Sequence, residues 1–212
     1  MKAVIFKPFF LLIVLGLGPG IASKTFAQAS ADKAEKLIDV KEPSIQIQQT
    51  PDFTVKGVTN KRWKPKEWLE IEVPFEAKAP ATKRDVKVYD ALTFKYYLYV
   101  NTPDAKARKI LTAELAHINI PVGEPMASVV YLPPAAITGL TGGGRAAPNL
   151  ISMWGVEVFN GTQLVGFLTS TGKEWWKVNN APPQTPGMLL NKSETPFAPL
   201  WFDYHATLQG GK

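Results

Sequence analysis

"LTFKYYLYV", residues 92–100, places four aromatic rings in nine positions, and the way those rings are spaced decides the fold. Successive side chains of a strand point to opposite faces. Leu92, Phe94, Tyr96, Leu98 and Val100 therefore share one face, and Thr93, Lys95, Tyr97 and Tyr99 share the other. The first set is apolar apart from the Tyr96 hydroxyl and needs a core. The second mixes two tyrosines with polar neighbours, which leaves two readings open. Tyr97 and Tyr99 form an outward contact surface, or the prolyl segment 182–199 folds across them.

Moving outward from this stretch, the same period recurs. In "EWLEIEVPFEA" (67–77) Leu69, Ile71, Val73, Phe75 and Ala77 oppose Glu70, Glu72 and Glu76, the pattern of an antiparallel sheet with one buried and one solvated face. Pro74 lacks a ladder donor, so this strand is expected at an edge or with a bulge. In "RKILTAELAHINI" (108–120) Leu111, Ala113 and Leu115 are out of phase with Ile118 and Ile120, which predicts one extra residue, a β-bulge, near Ala116 and His117. "SIQIQQT" (44–50), with Phe53 and Val55 behind it, "MASVVYL" (126–132) and "LWFDYHATL" (200–208) read as further strands, the last of them closing the fold. Residues 133–149, rich in Gly and Pro, read as a flexible loop whose "TGGGR" lacks the Lys-Ser/Thr and the following helix of a phosphate cradle.

The hairpin "MWGVEVFNGTQLVGFL" (153–168) carries Asn160-Gly161, which predicts a type I′ turn with Phe159 opposite Thr162 and Gly155 directly opposite Gly166. Two facing glycines leave bare backbone where a ring can lie flat. Trp175 or Trp176 of this chain is the expected occupant, with a partner side chain or a sugar as the other candidates. Eight or nine short strands without an interior helix specify an all-β fold, an immunoglobulin-like antiparallel β-sandwich with long loops. A closed barrel is the alternative.

At the N-terminus, Lys2 and Lys7, the apolar "PFFLLIVLGLG" and the small residues of "FAQA" form an export signal over 1–29. The apolar run is short for a membrane span and is broken by Gly18, Pro19 and Gly20, so no transmembrane segment is expected after cleavage. The chain has no cysteine, which excludes a disulfide framework, a lipidated cysteine and thiolate chemistry. Residues 30–43, "SADKAEKLIDVKEP", read as a charged leader or linker, solvated or as a short helix through Ala34, Leu37 and Ile38. The sandwich domain then spans 44–212. Lys2, Lys7 and Lys24 account for half of the formal charge of +6, so nucleic acid is not an expected partner.

No residue pattern supports catalysis, and neither a metal nor a cofactor is expected. His117 and His205 are the only histidines and lack a spaced carboxylate; there is no G-x-S-x-G elbow; and Glu70, Glu72 and Glu76 fit a solvated face better than a glycosidase pair. The two N-x-S/T sites, at Asn160 and Asn191, read as turn geometry and chance. Lys61, Arg62, Lys64 and Lys66 around Trp63 resemble a basic aromatic ligand site but fit a solvated loop better. The candidate contact residues are Tyr97, Tyr99, Trp175, Trp176 and Trp201, since exposed Tyr and Trp offer an apolar plane with a polar edge.

Through "EWLEIEVPFEAK", "ISMWGVEVFNGTQLVGFL" and "TPFAPLWFDYHA" the chain resembles the exported immunoglobulin-like proteins that Akkermansia-type Verrucomicrobia encode with a type IV pilus-associated gene cluster. The resemblance implies an Ig-like fold, a place in the outer envelope, the periplasm or on the cell surface, and a non-enzymatic role in pilus-like assembly or in contact with a host or surface. Its implied partners are envelope or pilus-associated proteins, or host-surface glycans or proteins. Unlike a pilin, this chain has its apolar run before the cleavage site, which implies an accessory module. A secreted carbohydrate-binding or carbohydrate-active domain is the alternative.

Overall fold

The strand that contains residues 92–100 lies in the middle of its sheet. The computed structural model describes residues 36–54, 56–59, 61–104 and 108–210; the export signal read over 1–29, Ala34 and Val55 lie outside them. In chain order the elements are β1 (Ile38–Val40), β2 (Ser44–Gln49), β3 (Glu67–Ala77), β4 (Val88–Val100), β5 (Lys109–Pro121), β6 (Pro125–Leu132), α1 (Pro134–Thr141), β7 (Ile151–Asn160), β8 (Gln163–Thr169), β9 (Gln184–Pro186) and β10 (Leu190–Asn191). One sheet runs β1–β3–β6–β10, with β2 continuing the β1 edge along β3, and the other runs β8–β7–β4–β5–β9. All pairs are antiparallel except β5–β9. The fold is an all-β sandwich. Among the described residues no helix is long and apolar enough to cross a membrane.

The core forms where the alternation puts it. Leu92, Phe94, Tyr96, Leu98 and Val100 meet Leu69, Ile71, Val73 and Phe75 of the facing sheet, and Phe75 and Phe94 touch with centroids 4.8 Å apart. The phase change in β5 is real, but no residue is inserted: the β4–β5 offset is the same from Val88↔Pro121 to Val100↔Lys109, with the ladder interrupted at Asp90 and Asn119. Asn119 takes a left-handed φ of 55°, and Tyr89 on β4 changes phase alongside Ile120, so the two strands twist together and both side chains reach the core. An Asn tolerates this conformation better than most residues. Pro74 does not mark an edge, because β3 has neighbours on both sides. Its carbonyl accepts from Lys41 N–H at 2.8 Å, so its donorless nitrogen points to the same side, where β1 has ended and β2 has not begun. No bond to β6 is lost.

Other expectations need correction. In the stretch read as a leader, Leu37, Ile38 and Val40 are buried and β1 pairs with β3. Ile38 and Val40 alternate with Asp39 and, with Leu37 beside them, outweigh the charged neighbours, so the sandwich begins before residue 44. The Gly/Pro-rich connection contains α1, which starts on Pro134 at a position that needs no donor, buries Ile137 and Leu140, and ends at Gly142 with φ 69°. Residues 200–208 are not a strand. Trp201 has φ 53°, and the N–H groups of Tyr204 and His205 both fold back onto its carbonyl. In the β7–β8 hairpin the turn is centred one residue later than expected, on Gly161 and Thr162, with φ 60° at Gly161, as a turn with glycine first requires. A slip beside Val158 then sets Gly155 opposite Thr169 and Gly166 opposite Val158. Gly166 serves the other face: a Cβ there would lie 2.9 Å from the Cβ of Ile38, so the glycine admits β1.

Both seams of the sandwich are bridged. Leu37 N–H donates to Val165 O of β8 while β1 pairs with β3. On the far side, residues 204–209 bond to Ala127 of β6 and to Ala116 and Ile118 of β5. A buried hydrogen-bond chain lies beneath this second bridge. His117 Nδ1 is 3.1 Å from Ala206 O, its Nε2 is 2.7 Å from Ser128 Oγ, and Tyr96 O–H donates to the same Oγ at 2.6 Å. A carbonyl only accepts, so Nδ1 carries the proton, Ser128 donates to Nε2, and every group is satisfied with the imidazole neutral. Burial is the main cause that depresses the His117 pKa to about 4 from 6.5. Because the folded value lies below the unfolded one, the stabilisation is complete above pH 6.5 and is lost as pH falls towards 4. The full loss is about 3 kcal/mol. Urea unfolding of the wild type should show this decline between pH 6.5 and 4; His117→Gln should be less stable at pH 7 and nearly flat over the same window.

Candidate contact surfaces

Tyr97 lies beside Gly155 on the outer face of β4 and β7. The space that glycine leaves is filled by Trp176, whose ring stacks on Tyr97 at 4.4 Å and 10°. A Cβ on Gly155 would stand 2.2 Å from that ring. Trp175 meets Tyr99 edge-on at 6.0 Å and Trp176 at 5.3 Å, and Phe167 closes the far side of Trp176 at 6.1 Å. A single 3-10 turn, Trp175–Lys177, brings both indoles down onto the sheet. Glu157 lies at the bottom, 2% exposed, and accepts from Tyr97 O–H at 2.9 Å and from Lys177 Nζ at 2.7 Å. Burial, then the Glu157 charge, pushes the Tyr97 hydroxyl well above its ordinary pKa. Burial opposes the charge on Lys177, but the hydrogen bonds to Glu157 and Glu174 outweigh it and raise its pKa. Tyr97 and Trp176 are thus packing residues, while Tyr99 and Trp175 form a half-buried rim.

The cover over Tyr97 and Tyr99 is therefore the turn just before the prolyl segment. That segment itself goes elsewhere: β9 extends the β5 edge, β10 pairs with β6, and Phe197 stacks on Tyr131 at 4.7 Å and 8°, with Trp68 edge-on at 5.7 Å. These last contacts cover the outer face of β3 and β6, where a solvated glutamate row was expected. Glu70 is buried and accepts from Tyr131 O–H at 2.8 Å and from Gln48 at 2.9 Å. Glu72 accepts from Tyr204 O–H at 2.9 Å and from His205 Nε2 at 3.0 Å, and the bond from His205 is the main reason its carboxyl stays below the ordinary value.

One family model matches residues 29–212. Among solved structures, a protein of Akkermansia muciniphila known from a crystal structure is 30% identical, with a TM-score of 0.71 over 82% of this chain and 94% of that one. The chain belongs to that family. No curated protein matches it.

On this family fold, four of the five predicted contact residues, Tyr97, Tyr99, Trp175 and Trp176, form one cluster, and Trp201 stands apart from them on the C-terminal turn. There it is 44% exposed beside Phe202 at 71% and Tyr204 at 46%, three rings turned to solvent. Phe202 and Tyr204 belong to the stretch read as a closing strand, and nothing in the local sequence signals the left-handed Trp201 that turns them outward. Trp63, with Phe53 and Val58, lines an exposed groove of about 550 Å3 beside Lys61 and Arg62. Asn191 caps the turn Lys192–Glu194, its side chain accepting from Ser193 N–H, so its N-x-S pattern has a structural use. Among the described residues no three His, Asp or Glu side chains are grouped to hold a metal. Gly155→Ala should expel the Trp176 ring, lower stability by about 1–3 kcal/mol and increase quenching of tryptophan fluorescence by acrylamide; unchanged quenching would contradict the packing described.

Proposed function

We propose that this protein is a non-enzymatic interaction module of the cell envelope or surface, associated with a type IV pilus-like system and acting in its assembly or in contact with a host or surface. The observation that carries this reading is the ridge of Trp201, Phe202 and Tyr204. These rings are exposed on a turn whose base is held by His205 and Glu72. A rigid aromatic patch contributes large contact area at low entropic cost, the property of residues that dominate protein interfaces. Kinship with the Akkermansia muciniphila protein and the export signal read at the N-terminus support an envelope location. The non-enzymatic part is supported by the placement of the reactive groups. His117 and Ser128 form a close pair, yet both are sealed in the core, and Glu70 and Glu157 are buried among tyrosine donors. Catalysis needs groups that a substrate can reach.

Chemical crosslinking in cells of the native host, followed by purification, tests the reading. The wild type should recover an envelope protein. Trp201→Gly combined with Phe202→Ser should reduce that recovery on the order of tenfold or more. Glycine suits the left-handed position 201, so the variant should keep its fold and melting temperature. Recovery unchanged in the double variant, or hydrolysis of a glycan by the purified protein, would overturn the proposal.

A further inference from the structure

The charge of this chain is concentrated in one place. Residues 51–67 hold Lys56, Lys61, Arg62, Lys64 and Lys66 against Asp52 and Glu67, an excess of three. Residues 30–212 as a whole carry the same excess, so everything in them outside this stretch balances to zero. Glu67 is bound by the Arg145 guanidinium, and among the described residues none of the five cations makes an ion pair. The stretch connects β2 to β3, whose last pair is Gln49↔Glu67. Its base is clamped: Thr50 N–H donates to Lys66 O at 2.9 Å, and Trp68 Nε1 donates to Thr50 Oγ at 3.0 Å. Beyond that base every described residue from Asp52 to Lys66 is exposed. Connections this long without secondary structure are either linkers or functional loops, and one whose two ends are bonded to each other does not link domains.

The apolar side chains of this loop decide what the cations are for. Phe53 is 51% exposed, Val58 64% and Trp63 48%, and together they line the groove beside Lys61 and Arg62. Three large apolar groups left in water are a cost that only a partner removes. A soluble polyanion would neutralise the cations and stack on Trp63 and Phe53, but it offers nothing to Val58. An anionic lipid surface meets both halves: its phosphates attract lysine and arginine, the headgroup layer suits an indole, and the acyl chains below take up phenyl and aliphatic groups. We propose that the β2–β3 loop docks on an anionic phospholipid surface, with Lys61, Arg62 and Lys64 at the phosphates and Phe53, Val58 and Trp63 entering the interface. This goes beyond the docking role proposed above and uses a different surface from the Trp201 ridge, so the two fail separately.

Co-sedimentation of the purified protein with lipid vesicles is the experiment. Vesicles of equal parts phosphatidylcholine and phosphatidylglycerol should bind it roughly tenfold or more tightly than phosphatidylcholine alone, and the difference should shrink as salt is raised. Lys61→Gln combined with Arg62→Gln should remove most of that difference. Phe53→Ser combined with Val58→Ser, which leaves the charge unchanged, should weaken binding roughly fivefold or more. All four positions are exposed, so both double variants should keep the wild-type melting temperature. Trp201→Gly combined with Phe202→Ser should leave vesicle binding as it is. Brominated acyl chains should quench part of the tryptophan fluorescence of the bound wild type and less of it in Trp63→Phe. If the Phe53 and Val58 variant binds both the anionic vesicles and heparin as tightly as the wild type does, the loop is a general polyanion site and the inference is overturned. No preference for the anionic vesicles, or bromolipid quenching that Trp63→Phe leaves intact, would overturn it as well.

Discussion

The directed hydrogen-bond chain from Tyr96 through Ser128 and His117 to Ala206 organises this molecule. Its members come from β4, β6, β5 and the C-terminal segment, so one neutral imidazole joins both sheets to the tail. Hydrophobic burial brings these elements together but is not directional. The chain supplies the direction, since every donor in it has one acceptor and a buried orphan would cost on the order of 1–3 kcal/mol. Fixing Ala206 in turn places His205 against Glu72 and lifts Trp201, Phe202 and Tyr204 into solvent. The outer ridge is positioned by a core contact.

The second organising feature is that each sheet is covered on both sides. Three glutamates, Glu70, Glu72 and Glu157, sit on outer faces, and each accepts the hydroxyl of a tyrosine, Tyr131, Tyr204 and Tyr97 respectively. The rings of Tyr131 and Tyr97 are themselves capped by Phe197 and Trp176. A carboxylate with charge-assisted bonds tolerates burial that an unpaired one does not. This is how faces that alternate apolar and acidic residues become interior on both sides, and why most rings of the two sheets are covered while Trp201, Phe202 and Tyr204 stand exposed on the C-terminal turn.

The strands were readable because alternation reports a local property, which side of a ribbon a residue occupies. Leu92 to Val100 and Leu69 to Ala77 needed nothing else. What escaped depended on distant partners. The solvated reading of Glu70 failed because Tyr131 lies 61 residues away in sequence. Pro74 suggested an edge, and only the break between β1 and β2 explains how a central strand accommodates it. The hairpin was recognisable from Asn160-Gly161, but a shift of one residue at the turn and a slip at Val158 separated the two glycines. Gly155 still received a tryptophan from this chain, because the vacancy it leaves depends on its own strand and not on the register opposite. Trp201 joined the predicted contact residues by composition, whereas Phe202 and Tyr204 owe their exposure to a turn that has no local signature.

The acceptor for His117 Nδ1 lies 89 residues further along the polypeptide. Before that carbonyl docks, this nitrogen has only water as a partner, so the bond joins two segments that are remote in the chain. Closing so long a loop costs chain entropy, so this one bond reports whether the segment 204–209 has docked on the two sheets.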